Sequence, residues 1–165
     1  MSRFKVFVYG TLKRNEPNHN WLSDTNNGNS KYLGEGTTLQ KYPLIIGTRY
    51  NVPFLLDKAG VGNNVIGEIY DIDEKMLSNL DILEDCPNFY ERSVIPIKMN
   101  TVELDCWTYF IKRFKDELLL KEMLVSYSNK GSHNLPYAER YLRDPSYDFR
   151  SEILRTGRSD FRGSQ

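Results

Sequence analysis

Histidine and cysteine are scarce in this sequence, with two of each in 165 residues. His19 and His133 lie far apart, and Cys86 and Cys106 lack any metal-ligand spacing, so no zinc site and no other metal or cofactor is expected. No Ser-His-Asp or Cys-His nucleophile pattern is recognisable either. Net charge is also missing. Lys plus Arg and Asp plus Glu cancel at 22 each, which leaves no global field to draw the chain to nucleic acid or to an anionic membrane. The longest apolar runs fall far short of the roughly 20 residues a membrane helix needs. The opening stretch MSRFKVFVYG carries charges inside its apolar run and does not read as a signal peptide. Two free thiols fit a reducing cytoplasm, although a single disulfide between them stays open.

What is present is an apolar share of 39% with 13% aromatics, the composition of a globular chain able to build its own core. Residues 4–9 read as a buried strand ended by Gly10. YPLIIG, PFLLD and VIGEIYDI are further strand candidates, and YERSVIPIKM and ELDCWTYFIKR form a pair turning near Asn100-Thr101. A short helical turn is expected around Asn18–Leu22. Asp71 and Glu74 make a D-x-x-E cap for a longer helix, which should end at Cys86-Pro87. A second helix is expected over roughly 115–126, and PYAERYLRDP suggests a short one. Beyond Gly131 the chain turns polar and rich in Arg and Tyr. We therefore divide it into a domain over 1–130 and an extension over 131–165, whose mixed charges read as a solvated surface and whose last twenty residues read as a docked or loose tail. Many strands and few helices predict an α+β fold: a small mixed β-barrel-like sheet with flanking helices.

The capped helix carries an anomaly. With Met76 set at zero and about 100° per residue, Leu80 and Leu83 fall near about 40° and −20°, and Leu77 near about 100°. Glu84 falls near about 80°, inside this apolar arc. A carboxylate there is paired, protonated or functional. Burial, the C-terminal end of the helix dipole and the nearby Asp81 and Asp85 should all raise its pKa toward the range useful for proton transfer. The plain alternative is a structural ion pair with Arg92 or another cation.

A second anomaly is FVYGTLKRNEPNH, where an apolar run breaks at Gly10. A plain turn, a phosphate cradle and a site for a smaller anion are the three readings. The G-x-x-x-x-G-K-[ST] spacing of a phosphate loop is absent. A glycine permits close approach of backbone to ligand, and successive N–H groups at a turn make an anion-binding concavity. Lys13 and Arg14 read mainly as solvated, Cys86 as a small buried filler, and His19 as a loop histidine.

Together, VYGTLKR and LDILEDCPNFYERSVIPI resemble the gamma-glutamyl cyclotransferase-like superfamily, most closely its gamma-glutamylamine cyclotransferase branch. EPNH, YPLIIG, NVPFLLD and VIGEIYDIDEKML agree in order, so the likeness covers roughly residues 4–113. The glutathione-directed branch carries a YGSL-type loop with different flanks. The resemblance implies the barrel-like fold, a substrate loop of Tyr9, Gly10, Thr11 and Leu12, and Glu84 as proton acceptor and donor. Tyr90 is a candidate pocket residue beside the alternative of ordinary aromatic packing. The implied activity is cyclisation of γ-glutamyl amines such as Nε-(γ-glutamyl)-lysine to 5-oxoproline and a free amine, with little action on glutathione. No additional anion loop is visible near Glu84 to serve a carboxylate on the leaving side. The partner implied is thus a small γ-glutamyl molecule, with protein partners unknown. Two alternatives remain: a gamma-glutamyl amino acid cyclotransferase, and a non-catalytic binding or interaction protein that retains the pocket.

Overall fold

The computed structural model describes residues 3–155. Seven strands form in chain order: β1 (Arg3–Val8), β2 (Ser30–Tyr42), β3 (Leu44–Gly47), β4 (Val52–Leu55), β5 (Asn63–Asp73), β6 (Glu91–Met99) and β7 (Val102–Phe110). Five of them close a barrel in the order β1-β5-β2-β6-β7, while β3 and β4 make a separate antiparallel hairpin. The barrel is mixed, because β1 runs antiparallel to β5 and parallel to β7, with Val6 opposite Trp107.

Strand alternation divides the core in two. Phe7 and Tyr9 point into a cluster with Val65, Ile69, Ile97 and Phe110. Val6 and Val8 point the other way, into a cluster with the long helix. That helix, α2 (Glu74–Leu83), buries Met76, Leu77, Leu80 and Leu83, the predicted stripe. The short α1 (Asn20–Ser23) occupies the expected turn.

The cap of α2 differs from the expected one. Asp73, not Asp71, accepts from the Met76 N–H (2.9 Å) and also from the Asn29 N–H (3.1 Å). β5 runs straight into the helix, so Asp71 is still a strand residue and pairs with Arg3 of β1. The helix also stops at Leu83, before the Cys86-Pro87 bond, which is cis.

Three further elements depart from the sequence reading. The 13-residue strand β2 had no predicted counterpart. Its glycines look like breakers, yet a Cβ on Gly36 would lie 2.6 Å from Ile97 and 2.8 Å from Ile69, so the barrel wall needs glycine there. The helix expected over 115–126 shrinks to a 3-10 turn, Asp116–Leu120. The following backbone is consumed by the sheet instead: Leu124 N–H donates to Leu44 O, and Val125 O accepts from Ile66 N–H. PYAERYLRDP likewise holds only a 3-10 turn, Arg140–Leu142. The chain from residue 131 nonetheless packs on the domain, burying Tyr137 and Ile153. Residues 146–155 of the predicted tail are docked, and 156–165 lie outside the described residues.

Candidate active site

A cavity of about 100 Å³ opens where β1, the start of β4 and the end of α2 meet. Its floor is the loop Tyr9, Gly10, Thr11 and Leu12, and its wall includes Glu84 and Tyr90. The structure therefore brings all six sequence-predicted site residues to one cavity.

The loop owes its shape to close packing. Gly10 does not need a left-handed backbone; a Cβ there would lie 2.8 Å from Pro53 Cγ. The Lys13 N–H donates to Gly10 O at 3.1 Å, which closes a turn. Buried Asn18 then holds the loop from behind. Its N–H donates to Thr11 O (2.8 Å), and its Nδ2 donates to Thr11 Oγ1 and to the Tyr137 hydroxyl (both 2.9 Å). His19 Nδ1 lies 2.9 Å from Leu12 O and, facing a carbonyl, must carry the proton. With the loop carbonyls so engaged, the backbone N–H groups of Gly10, Thr11 and Leu12 donate to no described residue. Three consecutive donors without described acceptors, on residues that line a cavity, make a ready anion or oxyanion site.

The two cations after the loop are turned elsewhere. Lys13 Nζ donates to Tyr127 O (2.5 Å), and Arg14 pairs with Glu68 (3.3 Å) and lies over the Tyr32 ring.

Glu84 caps the C-terminus of α2. Among the described residues its carboxylate accepts no hydrogen bond and joins no ion pair. Burial pushes its pKa up to about 7, and the positive charge of Arg140 partly opposes this. The structural ion pair with Arg92 is not formed. Arg92 Nε binds Asp81 Oδ1 at 2.8 Å and its Nη2 binds Oδ2 at 3.1 Å. Asp85 is bound by Arg150 at 2.8 Å. Both aspartates thus have their own cations, and the repulsion expected from them is not what raises Glu84; burial is.

Two tyrosines frame the acid. Tyr9 donates its hydroxyl to Tyr109 O (2.6 Å), and Tyr109 donates its own to Asp81 Oδ1 (2.7 Å). Tyr90 donates to Pro53 O (3.1 Å) and stacks on Phe54 with ring centroids 5.8 Å apart. Burial chiefly, with the Glu84 carboxylate adding to it, raises the pKa of both Tyr9 and Tyr90 and holds them protonated. They are fixed walls, not proton carriers.

Sequence reasoning missed the outer wall. Tyr137, Arg140, Arg143, Phe149 and Arg150 all line the cavity, although their segment reads as solvated surface. The usable signal was its aromatic density. No group of three or more His, Cys, Asp or Glu among the described residues is placed to hold a metal. No helix among them is long and apolar enough to cross a membrane.

Comparison with known proteins adds a family. Residues 6–129 match the family model described as "Gamma-glutamyl cyclotransferase, AIG2-like". The chain is 52% identical to the Drosophila melanogaster protein CG2811 over 143 residues, covering 86% of this chain and 90% of that one. It is 38% identical over 146 residues to a Mus musculus protein named gamma-glutamylaminecyclotransferase, covering 84% and 98%. A crystal structure of a Mus musculus AIG2-like protein superposes with a TM-score of 0.84 at 37% identity, covering 87% of this chain and all of the other.

Proposed function

We infer, from a chain that belongs to the gamma-glutamyl cyclotransferase, AIG2-like family, that this enzyme is a gamma-glutamylamine cyclotransferase acting on small γ-glutamyl amines in the cytoplasm. Gamma-glutamyl cyclotransferase activity follows from the family and from relatives about 38% identical over most of the chain. The observation that carries the mechanism is an unpaired carboxylate raised to about 7, facing three unpaired backbone donors across one small cavity.

In the reaction, the α-amine of the glutamyl group attacks its own γ-carbonyl carbon. A nitrogen–carbon bond closes the five-membered ring, and the bond to the leaving nitrogen breaks. Products are 5-oxoproline and an amine, and no water is consumed. The cavity holds amine and carbonyl together, which supplies proximity. Glu84 takes the proton from the attacking nitrogen and returns it to the leaving nitrogen. The N–H groups of Gly10, Thr11 and Leu12 bind the glutamyl head and its developing oxyanion. Because the nucleophile is part of the substrate, no Ser, Cys or Lys nucleophile is required.

This assignment has a pH signature. Glu84 must be ionised to accept a proton, so kcat/KM should fall as pH drops through about 7, following a single group. A profile that stays flat down to pH 5 contradicts the role.

The preferred substrate is Nε-(γ-glutamyl)-lysine, an assignment supported by the relatives at about 38% identity that carry the gamma-glutamylamine name. The sequence shows no additional anion loop near Glu84 for a leaving-side carboxylate, but the side chains of Arg140 and Arg143 line the cavity and are available to one. The discrimination against glutathione therefore rests on the branch, and on the aromatic wall of Phe89 and Tyr90 that a methylene arm can follow. Release of 5-oxoproline should show a higher kcat/KM for the lysine isopeptide than for glutathione or γ-glutamyl-alanine. The reverse order assigns the chain to a different branch.

A further inference from the structure

We propose that Arg140, with Arg143 behind it, forms a carboxylate subsite on the leaving side of the substrate, so that among γ-glutamyl amines released from a methylene arm the enzyme favours those whose far end bears a carboxylate, as that of lysine does. The proposal rests on the cyclotransferase reading of the cavity and names a specificity determinant within it.

Arg140 is exposed and lines the cavity, yet its guanidinium forms no hydrogen bond or ion pair with any described residue. Arg3, Arg14, Arg92 and Arg150 all have carboxylate partners. Arg143 is held more rigidly. Its Nε donates to Ala138 O at 2.9 Å, and its guanidinium lies 4.9 Å from the Tyr50 ring centroid and 5.0 Å from that of Tyr137. Its Nη2 is nonetheless buried without a hydrogen-bond partner. A buried donor left unpaired is an unusual feature that an anionic ligand relieves. The two guanidiniums also repel one another: burial chiefly, and Arg140 in addition, lower the pKa of Arg143. A carboxylate between them removes both defects.

The position decides which carboxylate. The glutamyl half must lie deep, where its amine meets Glu84 and its carbonyl meets the loop amides. The leaving amine has to depart toward solvent, and Arg140 stands on that exposed side. Both arginines lie beyond residue 129, the end of the family match.

Two substrates that differ in one group test this: Nε-(γ-glutamyl)-lysine, and the mono-γ-glutamyl amide of 1,5-diaminopentane, which keeps the arm and terminal amine but lacks the carboxylate. The wild type should favour the first by roughly tenfold or more in kcat/KM, the scale of a charge-assisted contact at a partly exposed site. Arg140→Gln should bring that ratio close to one, and Arg140→Lys should restore part of it. Arg140 also acts on the Glu84 carboxyl, but this affects both substrates and cancels in the ratio. A wild-type ratio near one overturns the proposal. So does an unchanged ratio in Arg140→Gln, which would place the arginine at the glutamyl carboxylate or away from substrate altogether. If neither compound nor any other γ-glutamyl amide yields 5-oxoproline, the cyclotransferase reading itself has failed.

Discussion

Glu84→Gln is expected to lower kcat/KM by about 10²–10⁴-fold and, at the same time, to make the protein more stable at alkaline pH. The loss of activity follows from removing the only proposed proton carrier while keeping its shape. The gain in stability follows from linkage. In the folded state burial raises the carboxyl from its ordinary 4.5 to about 7. The folded protein then binds more protons than the unfolded chain between these values, so stability falls as pH rises from about 4.5 to about 7 and stays low above it. A shift of that size disfavours the ionised native state by up to about 3 kcal/mol. Glutamine carries no charge and escapes the penalty. At pH 8 the variant should be more stable by about 1–3 kcal/mol, or roughly 3–9 °C in Tm, and the two proteins should converge near pH 4.5. A structural ion pair predicts the opposite sign, since removing one partner of a buried pair costs about 3–5 kcal/mol. Initial rates over a range of substrate concentrations and thermal melts at several pH values separate the two outcomes.

Gly10→Ala is expected to cost about 10²-fold in kcat/KM with a folded protein retained. The new Cβ would sit 2.8 Å from Pro53 Cγ, closer than real contacts allow. Pro53 is a rigid ring that cannot rotate away, and its carbonyl accepts the Tyr90 hydroxyl bond at 3.1 Å. The loop must therefore rise, or Pro53 must move and take Tyr90 with it. Either response displaces backbone donors relative to Glu84, and misplacement of about 1 Å is enough for a loss of this order. Such overpacking should also lower stability by about 1–3 kcal/mol. Normal kinetics in this variant would show that the loop amides do not position the reacting group.

Much of the site was legible because local periodicity encodes it. The spacing of Met76, Leu77, Leu80 and Leu83 fixes the buried face of α2, and the same arithmetic places Glu84 against it. Gly10 after a run of apolar strand residues marks the loop in a similarly local way. The causes were read less well than the positions. Asp81 and Asp85 look like repulsive neighbours in sequence, but each is bound by an arginine from elsewhere, Arg92 and Arg150. Ion pairs of that range leave no periodic trace.

The outer wall was illegible for the same reason. Arg140 and Arg143 line the Glu84 cavity only because Tyr137 and Ile153 bury themselves on the domain and draw the intervening chain across it. Read locally, that segment has neither helical nor strand period. β2 was hidden by a different effect. Its Gly34 and Gly36 have the composition of a turn, whereas the need for them comes from side chains on other elements, Met99, Ile97 and Ile69.

The central claim is that Glu84 drives a ring closure within the substrate and not an attack by water. Its most direct test is product analysis of Nε-(γ-glutamyl)-lysine treated with wild type and with Glu84→Gln, with free lysine, 5-oxoproline and glutamate quantified together. The account predicts equal amounts of lysine and 5-oxoproline, no glutamate, and near loss of both products in the variant. Glutamate in place of 5-oxoproline, or undiminished 5-oxoproline from Glu84→Gln, would contradict it.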